Sequence, residues 1–280
     1  MINWKRFSVA GALGLVLCLL AWAPVDAQPK PATAQVTRAT GRVEVLKKGQ
    51  AQWNAIGVGA QLVEGDQVRA GSGASADLAL PDGSTILVAE NSRFVVTKLD
   101  YDSQTRERLM TFHLVVGKIK SEVVRAAVQV VRARQSNFLI STPSGVAAVR
   151  GTVTVTAYNP ATGQTFFAVF PSPGQAPGSA IGIFVPLGVP GAAPITLVGG
   201  QFTTQVGNNP PAPVQGVSAL PPAILQALLT AANAATANSP ALTVVNVEIP
   251  DLGILLEPPP PVTAVTTPPP PPPPAQPPTQ

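Results

Sequence analysis

The residues of this chain that could do chemistry are few, and they lack the neighbours that catalysis needs. His113 is the single histidine among 280 residues, and Cys18 is the single cysteine. A hydrolase triad needs a serine and an acid beside its histidine, and a metal site needs several ligands. The sequence also has no GxSxG, HExxH or Walker motif. It therefore predicts no enzyme, no catalytic residue, no cofactor and no metal ligand, with a cryptic enzyme built on His113 as one alternative.

One acidic segment has part of a calcium-loop pattern. Asp100, Asp102 and Gln104 alternate as the first ligands of such a loop do. The loop would also need Gly at its sixth position and Glu at its twelfth, where this sequence has Thr105 and Thr111. We therefore expect a solvated hairpin loop.

Basic residues are concentrated in one segment, residues 118–134. They are Lys118, Lys120, Arg125, Arg132 and Arg134. Such a patch could bind an acidic polymer, but we expect a solvated β face. Charged residues are only 11% of the chain and the net charge is +4, which is far from the Lys/Arg density of a nucleic-acid binder. The sequence predicts no nucleic-acid partner.

A single tryptophan, Trp53, stands in the polar stretch of residues 51–60. We expect it to fill the core at one end of the domain. The alternative is an aromatic platform on which a carbohydrate stacks, and no neighbouring residue supports that alternative.

The N-terminus has the pattern of a secretory signal peptide. Lys5 and Arg6 precede an apolar run over residues 9–23, and Ala27 ends a stretch suited to cleavage. The run is shorter than the ~20 residues that a membrane span needs. We expect cleavage after Ala27, a periplasmic or extracellular protein, no membrane span after cleavage, and loss of the only cysteine.

The elements that must position any site are short strands. In residues 65–97, apolar runs alternate with turn residues, and Pro81, Asp82 and Gly83 suit a tight hairpin. Turns recur about every ten residues, so the pattern predicts an all-β domain. We expect a β-roll or a short β-helix-like stack, with a β-sandwich as the alternative. Pro221 and Pro222 open one predicted C-terminal helix over residues 223–235.

Composition divides the chain further. Of the 32 prolines, many lie near the C-terminus, where they favour a disordered polyproline tail. The predicted segments are a signal peptide (1–27), a flexible entry (28–34), a β domain (35–170), a Pro/Gly-rich β extension (171–206), a linker with a helix and a late strand (207–256), and the tail (257–280).

A series of turn motifs recurs in a fixed order. It starts with a glycine before the strand of residues 42–46, continues through a Gly-Asp corner and an Asp-Gly-Ser turn, and ends with Thr-Pro and Arg-Gly-Thr turns. Its residues are Gly65, Asp66, Gly71, Asp82, Gly83, Thr142, Pro143, Gly151 and Thr152. We expect them to form corners, because Gly tolerates positive φ and Asp bonds turn amides.

This order and spacing resemble the FecR domain over about residues 35–160. The resemblance implies an extracytoplasmic β module of a signalling regulator. The resemblance implies membrane proteins whose cytoplasmic segment binds a sigma factor. We expect no such cytoplasmic segment here. The first hypothesis is therefore a non-enzymatic module that binds an unknown protein or a cell-envelope polymer. The second is a regulator of a membrane receptor or sigma-factor pathway.

Overall fold

The computed structural model describes residues 30–125 and 138–233. Strands dominate this part of the chain, and one helix, α1 (Pro222–Asn233), follows them, so the predicted all-β fold with a C-terminal helix is confirmed. The strands are β1 (Lys30–Pro31), β2 (Ala34–Thr40), β3 (Val43–Leu46), β4 (Trp53–Ala55), β5 (Gln61–Leu62), β6 (Gln67–Ala70), β7 (Ser75–Ala79), β8 (Thr85–Val88), β9 (Ser92–Tyr101), β10 (Arg108–Glu122), β11 (Phe138–Ser141), β12 (Gly145–Arg150), β13 (Val153–Asn159), β14 (Gln164–Phe170), β15 (Ile181–Pro186), β16 (Ile195–Val198), β17 (Gln201–Val206) and β18 (Gln215–Gly216).

The strands form two leaves that share one long strand. Sheet A has the order β4-β3-β6-β9-β10-β11-β12-β15-β16, with β1 beside the far end of β9. Sheet B has the order β5-β2-β7-β8-β10-β13-β14-β17-β18. Within the described residues, the outermost strands of each leaf pair on one side only, so this is an open sheet folded at β10. The layered form matches the β-sandwich alternative.

The fold in the sheet lies at Gly117. The first part of β10 pairs with β9 and β11 in sheet A, and the part from Gly117 onward pairs with β8 and β13 in sheet B. Gly117 has φ +94, and a Cβ there would lie 2.5 Å from the Cα of Ser92. The strand continues through Gly117, because glycine lets the backbone turn without breaking its pairing.

The main core lies between the two leaves. Phe94 and Phe112 from sheet A meet at 6.2 Å between ring centroids, and Phe112 and Phe138 at 5.5 Å. Sheet B contributes aliphatic side chains such as Leu78 and Ile86, which are fully buried in the same cluster. Most aromatic side chains of this core therefore come from sheet A, and sheet B adds Phe167 to its aliphatic residues.

A second core lies on the outer face of sheet B, beneath α1. Ile224 and Leu228 of the helix pack there with Val155 of β13 and with Phe166 and Phe202, whose rings stack at 5.4 Å. Both faces of β13 and β14 are therefore covered, and these two strands are buried along most of their length, as expected inside a covered sheet.

Strands after residue 170 complete both leaves. β15 pairs with β12 in sheet A, and β17 pairs with β14 in sheet B. The predicted signal peptide, the turn near Ala126 and Ala127, the late strand and the polyproline tail lie outside the described residues.

Candidate functional site

The Gly-Asp corner places a carboxylate inside the domain. Asp66 is fully buried, and its two oxygens accept hydrogen bonds from Lys47 Nζ at 2.7 Å, from the Val63 N–H at 3.0 Å and from the Lys48 N–H at 3.1 Å. Gly65 beside it has φ +92. All these bonds stay within the chain, so Asp66 joins two turns and has no geometry for a ligand.

The Asp-Gly-Ser turn between β7 and β8 is built in the same way. Asp82 accepts bonds from the Ser84 N–H at 3.0 Å and the Ser84 hydroxyl at 2.7 Å, and it forms a buried ion pair with Arg108. Arg108 also donates to the carbonyl oxygen of Val124 at 3.0 Å. Gly83 has φ +87. This ion pair therefore links the turn to both ends of β10.

The Thr-Pro turn joins the two leaves. The hydroxyl of Thr142 in the β11–β12 turn lies 2.7 Å from that of Thr165 on β14, and the Ser144 hydroxyl lies 2.6 Å from it. Pro143 is exposed at the tip. The three hydroxyls are buried and bridge sheet A to sheet B.

Two further corners differ in whether their backbone requires glycine. Gly151 has φ +60, and the carbonyl of Thr152 accepts a bond from the Val123 N–H at 3.1 Å. The Thr152 hydroxyl is buried and bonds the Phe170 carbonyl. Gly71 departs from the expectation, because its φ is not positive and a Cβ there would meet the Arg42 carbonyl oxygen at an ordinary 3.6 Å.

Trp53 is not in the core, so its predicted role there is wrong. It lies half-buried on the outer face of sheet A, since β4 is an edge strand and its pairing with β3 turns the indole outward. The Arg69 guanidinium lies 4.3 Å from the ring centroid, a cation–π distance. Arg69 Nε donates to Glu44 at 2.7 Å, and Arg42 donates to the same carboxylate at 2.9 Å. Hydrogen bonds from Arg69 and then Arg42 lower the pKa of Glu44.

The predicted solvated basic face is also wrong for the two lysines of β10. Lys118 is 9% exposed and Lys120 is 0% exposed. Both lie on the outer side of β10, flanked by β8 and β13 in sheet B. Burial lowers the pKa of Lys120. Arg125 is exposed, and Arg132 and Arg134 lie outside the described residues.

Comparison with protein families gives one match. The model of the family "FecR protein" matches residues 66–170. Residues 66–170 are therefore similar to a FecR domain. The match starts later and ends later than the resemblance in the sequence predicted, and it spans β6 to β14, including β10.

Other comparisons add little. No curated protein matches the sequence. Two crystal structures of a candidate anti-sigma factor from Parabacteroides distasonis are similar at 11% and 12% identity, with TM-scores of 0.41 and 0.40. The alignment covers 59% of this chain, and the chain spans 64% of the length of each of those structures. Similarity at this level identifies neither fold nor function.

The single histidine of the chain has a serine beside it. His113 Nδ1 lies 3.0 Å from Ser141 Oγ, across the parallel pair of β10 and β11. The serine hydroxyl donates to the Phe112 carbonyl at 3.3 Å, so the imidazole supplies the proton between the two side chains. Burial lowers the pKa of His113. A neutral imidazole that donates to serine cannot act as the base that activates it.

Within residues 30–125 and 138–233, no group of three or more His, Cys, Asp or Glu residues could hold a metal ion. Among the helices described, none is both long and apolar enough to cross a membrane.

Sequence reasoning missed the partners of the motif residues. Arg108, Lys47 and Thr165 complete the corners, but each lies 19 to 26 residues from its partner in the chain. A buried Asp in a turn does signal that a cation must pair with it, because an isolated buried carboxylate is unstable. The signal does not identify which cation.

Proposed function

We propose that this chain is a non-enzymatic regulator in a signalling pathway, exported by the signal peptide of residues 1–27, and that it acts by binding a protein partner through its FecR domain. The match to the FecR family over residues 66–170 carries the proposal. It favours the signalling hypothesis over a module that binds only the cell envelope.

The way in which the polar groups of the corners are used inside the domain also supports this proposal. Asp66, Asp82, Thr142 and Thr152 make their hydrogen bonds within the chain. We propose that these residues maintain the corners, and that recognition belongs to side chains on the outer surface. A scaffold of this kind supports binding, since rigid strands hold surface residues in place.

Deletion of the gene in the source organism tests the regulatory role. We expect the transcription of transport and envelope genes to change, and a wild-type copy to restore it. A copy with Gly117→Ala, which disrupts the fold, should fail to restore it, whereas a copy with Gly59→Ala should succeed. If the parent strain makes the folded protein and deletion of the gene leaves transcription unchanged, the proposal is contradicted.

A binding assay separates the two hypotheses. The purified chain is mixed with envelope fractions, with and without prior protease treatment of those fractions. Loss of binding after protease treatment supports a protein partner. Retained binding would instead favour the envelope-polymer module.

A further inference from the structure

The outer face of sheet A brings two arginines together. Arg69 on β6 and Arg93 on β9 are direct cross-strand partners, so they lie on the same face of the sheet. Side chains in such pairs have Cβ atoms about 4.5–5.5 Å apart, and like charges there repel each other. An arrangement of this kind is stable when an anion lies between or beside the two guanidinium groups.

The two arginines differ in their partners. Arg69 is held by Glu44 and by the Trp53 ring. Among the described residues, Arg93 makes no ion pair, and its Nε is buried with no hydrogen-bond partner. Arg93 as a whole is only half-buried, so the rest of its guanidinium group is open to an anion supplied by a partner.

The charges nearby leave an excess of positive charge. One carboxylate, that of Glu44, faces the positive charges of Arg42, Arg69 and Arg93, and it forms ion pairs with the first two. The guanidinium group forms a planar fork that matches a carboxylate. Tryptophan and arginine are also the residue types most enriched where protein interfaces derive their binding energy.

Most of the rest of the face is aliphatic, with His113 and Ser141 among the aliphatic residues. Half-buried valines, isoleucine and leucine continue from Arg93 across sheet A. They are Val95, Val115, Leu139, Val146, Ile183 and Val185. A polyanion would need an extended array of basic residues, and Lys98, farther along this face, is already paired with Glu64 and Asp100. An acidic residue with aliphatic neighbours fits both parts.

We propose that Trp53, Arg69 and Arg93 form a carboxylate-binding site for an acidic segment of a protein partner, with aliphatic residues of that segment on the adjoining valines. This assignment rests on the proposed function, since it names the surface through which the FecR domain binds its partner.

Trp53 provides a direct reporter of this site. The chain has three tryptophans, and the other two are Trp4 and Trp22, so a protein of residues 28–280 retains only Trp53 and every described residue. The probes are acetyl-Leu-Glu-Leu-Glu-Leu-amide, its counterpart with Gln in place of Glu, and inorganic polyphosphate. We expect the Glu peptide to change the Trp53 emission and to bind at least about tenfold more tightly than the Gln peptide.

Two matched variants test the assignment to Arg93. Arg93→Gln should weaken the Glu peptide about tenfold to a hundredfold, because it removes a charge-assisted hydrogen bond. Arg106→Gln removes the same charge from the turn at the opposite end of β9 and should change affinity less than about twofold. Thermal unfolding of both variants verifies that they are folded, and Arg93→Lys should restore only part of the affinity because it lacks the fork.

Three results would overturn the site. They are equal binding of the Glu and Gln peptides, equal effects of Arg93→Gln and Arg106→Gln, and polyphosphate binding that depends on Arg93 as strongly as peptide binding does. If these occur while gene deletion still changes transcription, the site is wrong and the regulatory role stands. If the site is confirmed but transcription is unchanged, the regulatory role fails instead.

Discussion

Single residues of the β domain show where its buried charges are compensated. Asp66 and Asp82 are carboxylates with little or no exposure, and each is paired with one cation and with N–H or O–H donors in its own turn. Pairs of this kind contribute little net stability when complete but are costly to break, because the remaining charge is left buried.

Asp82→Ala should lower the free energy of unfolding by about 3–5 kcal/mol, since Arg108 would remain buried without a counter-ion. The measurement is chemical denaturation at pH 7. Glu64→Ala is the matched control, because it breaks the exposed pair with Lys98 and should cost less than about 1 kcal/mol. The double variant Asp82→Ala with Arg108→Met should be more stable than Asp82→Ala alone. Equal losses for the two single variants would contradict this account.

His113 should make stability depend on pH. Its pKa in the folded chain is below the ordinary value of 6.5 because of burial. The unfolded chain therefore takes up the proton first, and the contribution of His113 is fully present above pH 6.5 and is lost as pH falls through the folded pKa. The difference in unfolding free energy between wild type and His113→Gln should shrink on acidification. A constant difference from pH 8 to pH 4.5 would show that His113 does not titrate differently on folding.

At the scale of elements, β10 determines the arrangement because it belongs to both leaves. Its bend at Gly117 combines a positive φ with close contact to Ser92. Either feature alone disfavours a side chain, and together they leave no room for one.

Gly117→Ala should cost about 3 kcal/mol or more, from backbone strain and from the overlap with Ser92. Gly59→Ala is a matched control, because Gly59 has φ +88 and no atom within 4 Å of the added Cβ. It should cost only about 1–2 kcal/mol. Thermal unfolding of the two proteins gives the comparison, and equal stabilities would show that the crowding at Gly117 has no effect.

Helix α1 depends on packing, because isolated helices of this length are marginal in water. Leu228 is fully buried against sheet B, so Leu228→Ala should cost about 2–4 kcal/mol. Gln226→Ala changes an exposed position of the same helix and should stay within about 0.5 kcal/mol of wild type. Equal stabilities of the two variants would show that the packing of Leu228 on sheet B does not stabilise the fold.

At the scale of the whole molecule, the family match and the folded unit have different ends. The match stops at residue 170, but β15 and β17 pair with β12 and β14 inside it, and β16 and β18 pair with β15 and β17 in turn. Without them, β12 and β14 would each expose an unpaired edge, and Phe167 would lose its stacking partner Phe184, at 6.1 Å.

A protein ending at residue 170 should therefore be insoluble or lack a cooperative unfolding transition, whereas one ending at residue 233 should unfold cooperatively. Circular dichroism during heating distinguishes the two, with the full chain as reference. Cooperative unfolding of the shorter protein would show that the later strands are an addition to a complete domain.

The sequence allowed the all-β class and the corners to be predicted because turns depend on local residues. Asp82 and Gly83 favour a hairpin whatever surrounds them. The continuation of β10 through Gly117, the outward position of Trp53 and the burial of Lys120 depend on which distant strands pair, and no local pattern encodes that choice. The Arg69–Arg93 pair was missed for the same reason, since 24 residues separate two arginines that only sheet register brings together.

The shared strand also has a consequence in time. β10 needs β8 and β9 on one side and β11 and β13 on the other, so its amides cannot all be protected before residue 159 has been made or exported. At synthesis rates of about 5–20 residues per second, the chain spends seconds with one edge of β10 unpaired. Domains dominated by such distant pairings fold in roughly milliseconds to seconds after that. Hydrogen exchange during refolding should thus find the second half of β10 among the last segments to close.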